Sequence, residues 1–588
     1  MPHRRPESFP THKPKRVSVD IHTKRRKPGL RLWCAIVCLF TAMSLRAETV
    51  PPAAPATARD DGITGNARAV SNAAGENKTA PAKEPTFTVA EYQVEGNSVL
   101  PTMAIEQAVY PYLGADKTIT DVEQARKSLE QVYQKAGYST VVVDIPEQNV
   151  VSGIVRLRVT EGRIAKLSVT GSRYYSLARI RSQLPALSPG AVPYLPQVQG
   201  QMNAANHASA DRQITPVFRA GRTPGTVDVE LKVRDQPPWH ASLELNNRYS
   251  ANTSHTRASG QLRYDNLWQR EHSLSLQYQT APQQTEEVKV LSATYLFRSQ
   301  DSDNMTALYA VHSRSNIAAV GDITVIGSGD IYGVRRILPL PPGKQYFHSL
   351  SLGVDVKNFG ESLILQGADS VQTPIRYMPF SIAYNSSLPG NSVTTQFSTA
   401  LNFSLRNLSD RQIDCFGQQV DQFECKRFKA RSNYVFLKMD YQRTQKLPYD
   451  MSWIARLEGQ IASQPLISNE QFSAGGAESV RGYLESERLG DDGWKASLEW
   501  RSPSFAKDGS PWLRQWLLLV FADAARLHVK ETQPEQISRF ELASVGLGAR
   551  FTAWKNMKGE LDWAHALKDS AATNSGDNRV HFRLEYGF

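Results

Sequence analysis

The chain has 588 residues, is 40% hydrophobic and 21% charged, and carries a formal net charge of +11. Much of that excess sits in the first thirty-one residues, and from Glu48 onward acidic and basic side chains are interspersed with no basic helix and no zinc-finger spacing, which argues against a nucleic-acid partner. No stretch after the leader is apolar for long enough to make a transmembrane helix, so a membrane-spanning body would have to be a closed barrel of strands.

In chain order, the basic runs RRP, KPKR and TKRRKPGLR lead into a short apolar segment from Trp33 to Leu45, followed by Arg46 and Ala47. This pattern predicts a secretory signal over residues 1–47, cleaved after Ala47. Cleavage removes Cys34 and Cys38 and leaves Cys415 and Cys425, ten positions apart in CFGQQVDQFEC. For an exported chain the economical expectation is one local disulfide that closes a loop. Residues 48–85, rich in Ala, Pro, Thr, Asn and Gly, lack apolar periodicity and are expected to form a linker.

Two small mixed units follow. Over 86–162, FTVAEYQVEGN predicts a strand ending in a turn, with helices at about 101–112 and 120–137. The second helix sets Val122, Ala125, Leu129 and Val132 on one face, and STVVVDIP and GIVRLRVTEG supply two more strands. Over 163–236 the order repeats: IAKLSVTGS, helices near 176–185 and 197–211, then ITPVFRAG and GTVDVELKV. Such units either hold something at a distance or take up extended polypeptide at a sheet edge.

From 237 to 588 the helical signals give way to alternation. Trp239, Ala241, Leu243 and Leu245 alternate with His240, Ser242, Glu244 and Asn246, and Trp494, Ala496, Leu498 and Trp500 alternate with Lys495, Ser497, Glu499 and Arg501. The last segment sets Phe582, Leu584, Tyr586 and Phe588 against His581, Arg583, Glu585 and Gly587, inside a terminal strand expected to pair with the first. Aromatic residues near strand ends fit an interfacial girdle. Long connections near 313–329, 359–374, 406–429 and 463–492 alternate with short ones near 269 and 341–345. The expectation is an outer-membrane β-barrel of about sixteen antiparallel strands, with its long loops on one side.

Between the eleventh and twelfth strands, Gly475, Gly476, Val480, Arg481, Gly482 and Tyr483 combine flexible glycines with one cation and one aromatic. Further on, Trp516, Leu518, Val520 and Ala522 define one face of a strand, and Phe521 and Asp523 the other. A lone carboxylate on an interior wall needs a partner or water, and Arg481 on an inward-folded loop is one candidate. The alternative, which the residues alone favour, is a solvent-facing hairpin with an ordinary surface Arg481 and an Asp523 that merely lines a wet lumen.

Here the chain resembles the outer-membrane transporters of two-partner secretion, of the hemolysin or filamentous-adhesin secretion type, within the superfamily of POTRA-containing barrels. VEGN and the first repeat resemble a first POTRA domain, LSVTGS onward resembles a second, GGAESVRGY resembles the signature motif of the sixth loop, and Phe521 to Asp523 (FAD) resembles the wall motif that receives its arginine. The resemblance implies a lumenal contact between Arg481 and Asp523 that latches the loop. It also implies POTRA domains that capture an unfolded secreted exoprotein, and export through the barrel without nucleotide hydrolysis. Some relatives keep a plug helix in the pore; residues 48–85 hold the corresponding place without a helical pattern. Outer-membrane lipid, the barrel-assembly machinery during biogenesis, and action as a monomer complete the implied setting. The rival expectation is a factor that inserts other barrels into the membrane, for which three or five POTRA domains are usual and two are counted here. Enzymatic chemistry, cofactors and metals are not expected: the twelve histidines show no metal-ligand spacing, GxSxG is absent, and the glycines near Gly327 and Gly475 join no βαβ unit.

Overall fold

A computed structural model describes residues 85–588 apart from 151, 300–301, 316, 321–322, 344, 364–370, 416 and 508–509. The expected signal sequence and nearly all of the 48–85 linker or plug lie outside the described residues.

The first unit contains β1 (Phe87–Val89), β2 (Glu91–Glu95), α1 (Thr102–Val109), β3 (Gly114–Lys117), α2 (Ile119–Lys135), β4 (Val141–Asp144) and β5 (Ile154–Glu161). Helix α2 starts where Thr118 and Asp121 form a capping box, the Thr118 N–H donating to Asp121 Oδ2 at 2.8 Å. It buries Val122, Ala125, Leu129 and Tyr133 against a sheet of order β2-β5-β4. Two expectations change. FTVAEYQVE is two strands rather than one, because β1 turns away to pair with β3, a short strand that the Gly-Ala-Asp-Lys composition did not announce. The fourth core position of α2 is Tyr133, four residues after Leu129, while Val132 is only half-buried.

The second unit repeats the order with β6 (Arg163–Thr170), α3 (Leu177–Ser182), α4 (Leu195–His207), β7 (Arg212–Ala220) and β8 (Thr226–Asp235), and its sheet runs β6-β8-β7. It is fixed to the first turn of the barrel. Arg212, at the start of β7, pairs with Glu271 at 3.0 Å with both side chains buried, and Gln183 bridges the two. The Ser176 N–H donates to Gln269 Oε1 at 2.8 Å, and Asn266 Nδ2 donates to the Tyr174 carbonyl at 3.2 Å.

The remainder is a closed antiparallel barrel of sixteen strands. The segments Val371–Tyr377 and Pro379–Pro389 are one strand interrupted at Met378, since Lys357↔Tyr377 and Val354↔Phe380 keep a single register on the preceding strand. The terminal strand, Asn578–Gly587, closes on Trp239–Asn246 through pairs running from Arg583↔Asn246 to Gly587↔Ser242. Phe588 lies one residue beyond that strand, its N–H donating to the Ala241 carbonyl at 2.8 Å. The connection expected over 359–374 is shorter than it looked, because strands Phe347–Leu363 and Val371–Pro389 run on into it. Loop 313–329 likewise contains a hairpin, Ile317–Val320 with Ile323–Ile326.

Side chains alternate as a bilayer demands. Leu243, Leu498 and Leu547 are 58%, 56% and 56% exposed on the outer face, whereas Glu499, Asp523 and Asp562 are 5%, 3% and 5% exposed on the inner one. Trp239, Trp268, Phe347, Trp512, Trp554 and Phe588 are exposed around the short-turn rim, as an aromatic belt would be. Leu547→Arg, near the middle of strand Arg539–Ala553 on the lipid face, should destabilise the barrel by about 2–4 kcal/mol, while Gln277→Arg on the inner face changes it little. Urea unfolding in phospholipid vesicles measures both, and equal effects would mean that the two faces are misassigned.

Candidate functional site

The sixth loop, residues 463–491, connects barrel strands Ser452–Ala462 and Asp492–Arg501. It carries a small hairpin, Phe472–Ala474 with Arg488–Gly490, and folds into the barrel. Its tip is packed rather than wet: Val480 and Tyr483 are fully buried, with Phe472, Ala474, Ala525, Leu527, Leu542 and Ala566 around them. A cluster of this kind at the centre of a water-lined wall supplies the apolar contacts that keep a loop inside.

Arg481 sits at the tip, and its fork is fully used. Nε donates to Asp523 Oδ2 at 2.8 Å and Nη2 to Asp523 Oδ1 at 2.9 Å, while the Arg481 backbone N–H also reaches Oδ2 at 3.1 Å. Nη1 donates to Glu499 Oε2 at 2.9 Å and lies 3.7 Å from Asp562 Oδ2. The guanidinium carbon stands 3.4 Å from the centre of the Phe521 ring, so the Phe521–Asp523 segment offers a π face and a carboxylate to the same cation. Burial alone pulls the Arg481 guanidinium down, but Asp523, with Glu499 and Asp562, more than offsets it and raises it above its ordinary value. Arg481 therefore stays charged.

The neighbouring motif residues each have a local reason. Gly482 adopts φ +94° and directs its N–H at Nε2 of His581, 2.9 Å away, so His581 accepts with an unprotonated nitrogen. Gly475 and Gly476 make the turn before it at φ +108° and +110°, where the Gly475 N–H donates to Ser479 Oγ at 2.9 Å. The Tyr483 hydroxyl lies 2.8 Å from the Lys568 carbonyl and 3.0 Å from that of Ala543, joining the loop to strand Arg539–Ala553 and to the segment just after strand Met557–Ala566. Room for the Phe521 ring comes from Gly546 on the next strand, where a Cβ would lie 2.3 Å from Phe521 Cζ. Glu487 is held below the usual carboxylate range: burial raises it, but the N–H groups of Leu484 and Ala572 and the Thr573 hydroxyl outweigh that.

Val480, Arg481, Gly482 and Tyr483 thus meet the wall at one place, with Arg481 on Phe521 and Asp523, while Gly475 and Gly476 form the turn that precedes them within the loop. Sequence reasoning missed the remaining partners, Glu499, Ser497, Asp562 and His581, because each is one polar residue among many on an alternating strand. Only the register, with Ser497 opposite Asp523 and Asp562 opposite His581, brings them together. Elsewhere Cys415 and Cys425 are joined, with Cα atoms 5.9 Å apart. Asp211, His240 and Asp265 place one ligand atom each within 4.8 Å of one another. Asp211 precedes β7 while His240 and Asp265 sit on the first two barrel strands, so no spacing in the sequence could have disclosed them. His240 Nε2 already shares a hydrogen bond with Asp211 at 2.9 Å and Arg263 Nε pairs with Asp265 at 3.0 Å, so the group is satisfied by partners within the protein.

A cavity of about 650 Å³ adjoins the tip. Asp440, Glu458, Glu560 and Asp562 line it together with Arg456, Arg501, Arg550, Lys558 and Arg583, so neither sign prevails. Tyr483→Phe should lower the stability of the barrel by about 1–3 kcal/mol, since it removes a buried donor from two carbonyls. The thermal midpoint in detergent reports it, with lipid-facing Tyr586→Phe as the neutral comparison. Equal midpoints would mean that Tyr483 anchors nothing.

Comparison with known proteins agrees along the chain. A ShlB-type POTRA domain model matches residues 87–162, and the model of the haemolysin secretion/activation protein ShlB/FhaC/HecB matches residues 370–551. The outer membrane transporter CdiB of Dickeya dadantii is 23% identical over 431 residues, covering 71% of this chain and 73% of that one. In three dimensions, CdiB from Escherichia coli superposes with a TM-score of 0.59 at 17% identity, over 87% of this chain and 93% of that one. CdiB from Acinetobacter baumannii gives 0.52 at 14% identity, over 86% and 91%. BamA from Haemophilus ducreyi lacking POTRA domains 1-3 gives 0.50 at 14%, over 85% and 100%, a likeness of fold alone. Taken with the closed barrel, the family-model matches and the CdiB relatives support an outer-membrane transporter of two-partner secretion.

Proposed function

We propose that the two N-terminal units, as POTRA domains on the periplasmic side, capture an unfolded secreted exoprotein, and that the barrel releases it at the cell surface when the sixth loop moves. The observation that carries this reading is the Arg481–Asp523 pair, a bidentate contact made by a loop that occupies the lumen it would have to vacate. Buried and shared with Glu499, it is the arrangement that a resting latch needs: strong when closed, and costly to leave half-broken.

Capture is by strand addition. A β-sheet edge offers backbone donors and acceptors to an extended chain regardless of its sequence, which suits an unfolded substrate. In the second unit the β7 edge contains Pro216, which lacks a donor, so β6 is the more receptive edge. A lumen lined by both signs of charge holds no long segment of either sign tightly, which favours passage over retention. One chain encloses the whole lumen, so a monomer suffices, and folding of each emerged segment outside biases movement outward without nucleotide hydrolysis. Insertion by the barrel-assembly machinery follows from the outer-membrane fold, and neither a reaction nor a cofactor is required.

Arg481→Asp and Asp523→Arg should each cut secretion of the partner at least about tenfold, as expected when a buried pair is turned into a repulsion. The double swap should recover more than either single change. Partner protein in the culture medium is measured beside the folded barrel in the outer membrane. Normal assembly with no recovery in the swap would count against the latch.

A further inference from the structure

The sixth loop is held at a second point, remote from the arginine tip. Asp491, the residue before barrel strand Asp492–Arg501, is fully buried. It pairs through both carboxylate oxygens with the guanidinium of Arg427 in the fifth loop, Nη2 to Oδ2 at 2.7 Å. It also accepts from the Leu466 N–H at 2.8 Å, the Lys530 N–H at 2.7 Å and Gln471 Nε2 at 3.2 Å. Arg427 returns the contact to the same two residues, donating to the carbonyls of Leu466 and Lys530. Leu466 and Lys530 therefore each give an N–H to the acid and a carbonyl to the base. Both feet of the sixth loop, the fifth loop and the start of the seventh are tied into one node.

The fifth loop presents Arg427 by a defined route. A short helix, Gln422–Lys426, starts at Asp421, whose Oδ1 accepts the Phe423 N–H at 2.8 Å, and Arg427 follows it directly. Cys425 in that helix is bridged to Cys415 at the end of strand Gln412–Cys415, which pairs with Gln418–Asp421. The disulfide thus closes the hairpin two residues before the guanidinium. A cavity of about 1100 Å³ lies beside the node, lined among others by Cys415, Cys425, Arg427, Gln471, Arg488 and Phe540. An ordinary loop ion pair would hold two points; this one holds both ends of the segment that must move.

We infer that Arg427 and Asp491 form an outer clasp, a second lock on the sixth loop, and that the Cys415–Cys425 disulfide keeps it closed. The inference rests on the sixth loop being the gate, but not on the Arg481–Asp523 pair being the trigger. Displacing the loop means pulling Leu466 and Asp491 off Arg427, or carrying the fifth and seventh loops along. A buried, five-donor carboxylate makes the first route costly while the disulfide holds Arg427 in register.

Planar lipid bilayers with the full-length protein test this. A water-soluble phosphine on the loop side breaks the S–S bond, phosphorus giving up two electrons and taking oxygen from water, and leaves two thiols and the phosphine oxide. Open-channel occupancy should rise about tenfold in the unaltered protein, equivalent to losing about 1.4 kcal/mol from the closed state. Arg427→Lys, which keeps the charge but not the fork, should rise comparably and respond no further to phosphine. Cys415→Ser with Cys425→Ser should be open from the start and unresponsive. The heat-modifiable shift in gel mobility shows that each barrel is folded, and the phosphine experiment needs no variant. Unchanged occupancy in the reduced protein would overturn the disulfide's role, and unchanged occupancy in folded Arg427→Lys would overturn the clasp. Arg481→Lys is recorded alongside: if it opens the channel while reduction and Arg427→Lys do not, the clasp falls alone. Should none of them open it, gating by the sixth loop falls as well.

Discussion

Inside a bilayer an unpaired backbone amide has no water to turn to, so the strands from Trp239 to Gly587 must close on themselves, and the ladder from Arg583↔Asn246 to Gly587↔Ser242 does so. Much else is a consequence of that closure. A ring of sixteen strands is too wide for its own side chains to fill, and period-two alternation gives it one greasy face and one wet one. Whatever fills the interior must be a separate piece of chain able to satisfy a polar wall. The sixth loop meets this need with an apolar knot around Val480 and Tyr483 and a single cation aimed at the deepest carboxylates.

The price of putting charge on such a wall is desolvation, and the structure meets it by over-supply of partners. Arg481 is matched by Asp523 and Glu499, with Asp562 nearby, while Arg550 takes up Asp562 from the other side at 2.6 Å. Arg583 is shared among Glu244, Glu560 and Glu585. Glu499 and Asp562 each have a second cation within reach, so withdrawal of Arg481 would leave Glu499 with Arg501 and Asp562 with Arg550, whereas Asp523 would lose its main partner. The wall is therefore suited to a loop that leaves: the uncompensated charge is confined to one residue.

How much of this was legible in the sequence depended on the length scale of the signal. Strand alternation is local, so the lipid face of Leu498 and Trp500 and the opposite placement of Asp523 could be assigned from neighbouring residues. The repeated β-α-α-β-β order was also visible, because Val122, Ala125 and Leu129 recur with helical period. The β1–β3 pairing was not, since three residues against four carry too little pattern, and a polar Gly-Ala-Asp-Lys strand has no apolar face to declare it. Asp491 and Arg427 are sixty-four positions apart on two irregular loops, and only the folded chain makes them neighbours. In the same way the strand expected to begin after a connection over 359–374 already starts at Val371 and runs through Met378 in a single register.

On the proposed reading, energetics constrain how the gate opens. With the arginine fork, the Gly482 N–H, the Tyr483 hydroxyl and the Glu487 carboxylate all engaged at once, the loop does not leave one contact at a time: a partly freed tip would keep buried charges without partners. The equilibrium between closed and open is then steep, and thermal opening is rare. A substrate moves such an equilibrium only by as much as it prefers the open state, and moving it from 1:99 to 99:1 takes about 5.5 kcal/mol of that preference. Binding at the POTRA edges alone, equal in both states, would supply none of it. The differential contact has to be made within the barrel, where an extended chain can occupy the volume, the Asp523 carboxylate and the backbone partners that the sixth loop gives up. Competition for the same wall, rather than a signal relayed from the periplasm, is the mechanism that this arrangement of charges favours.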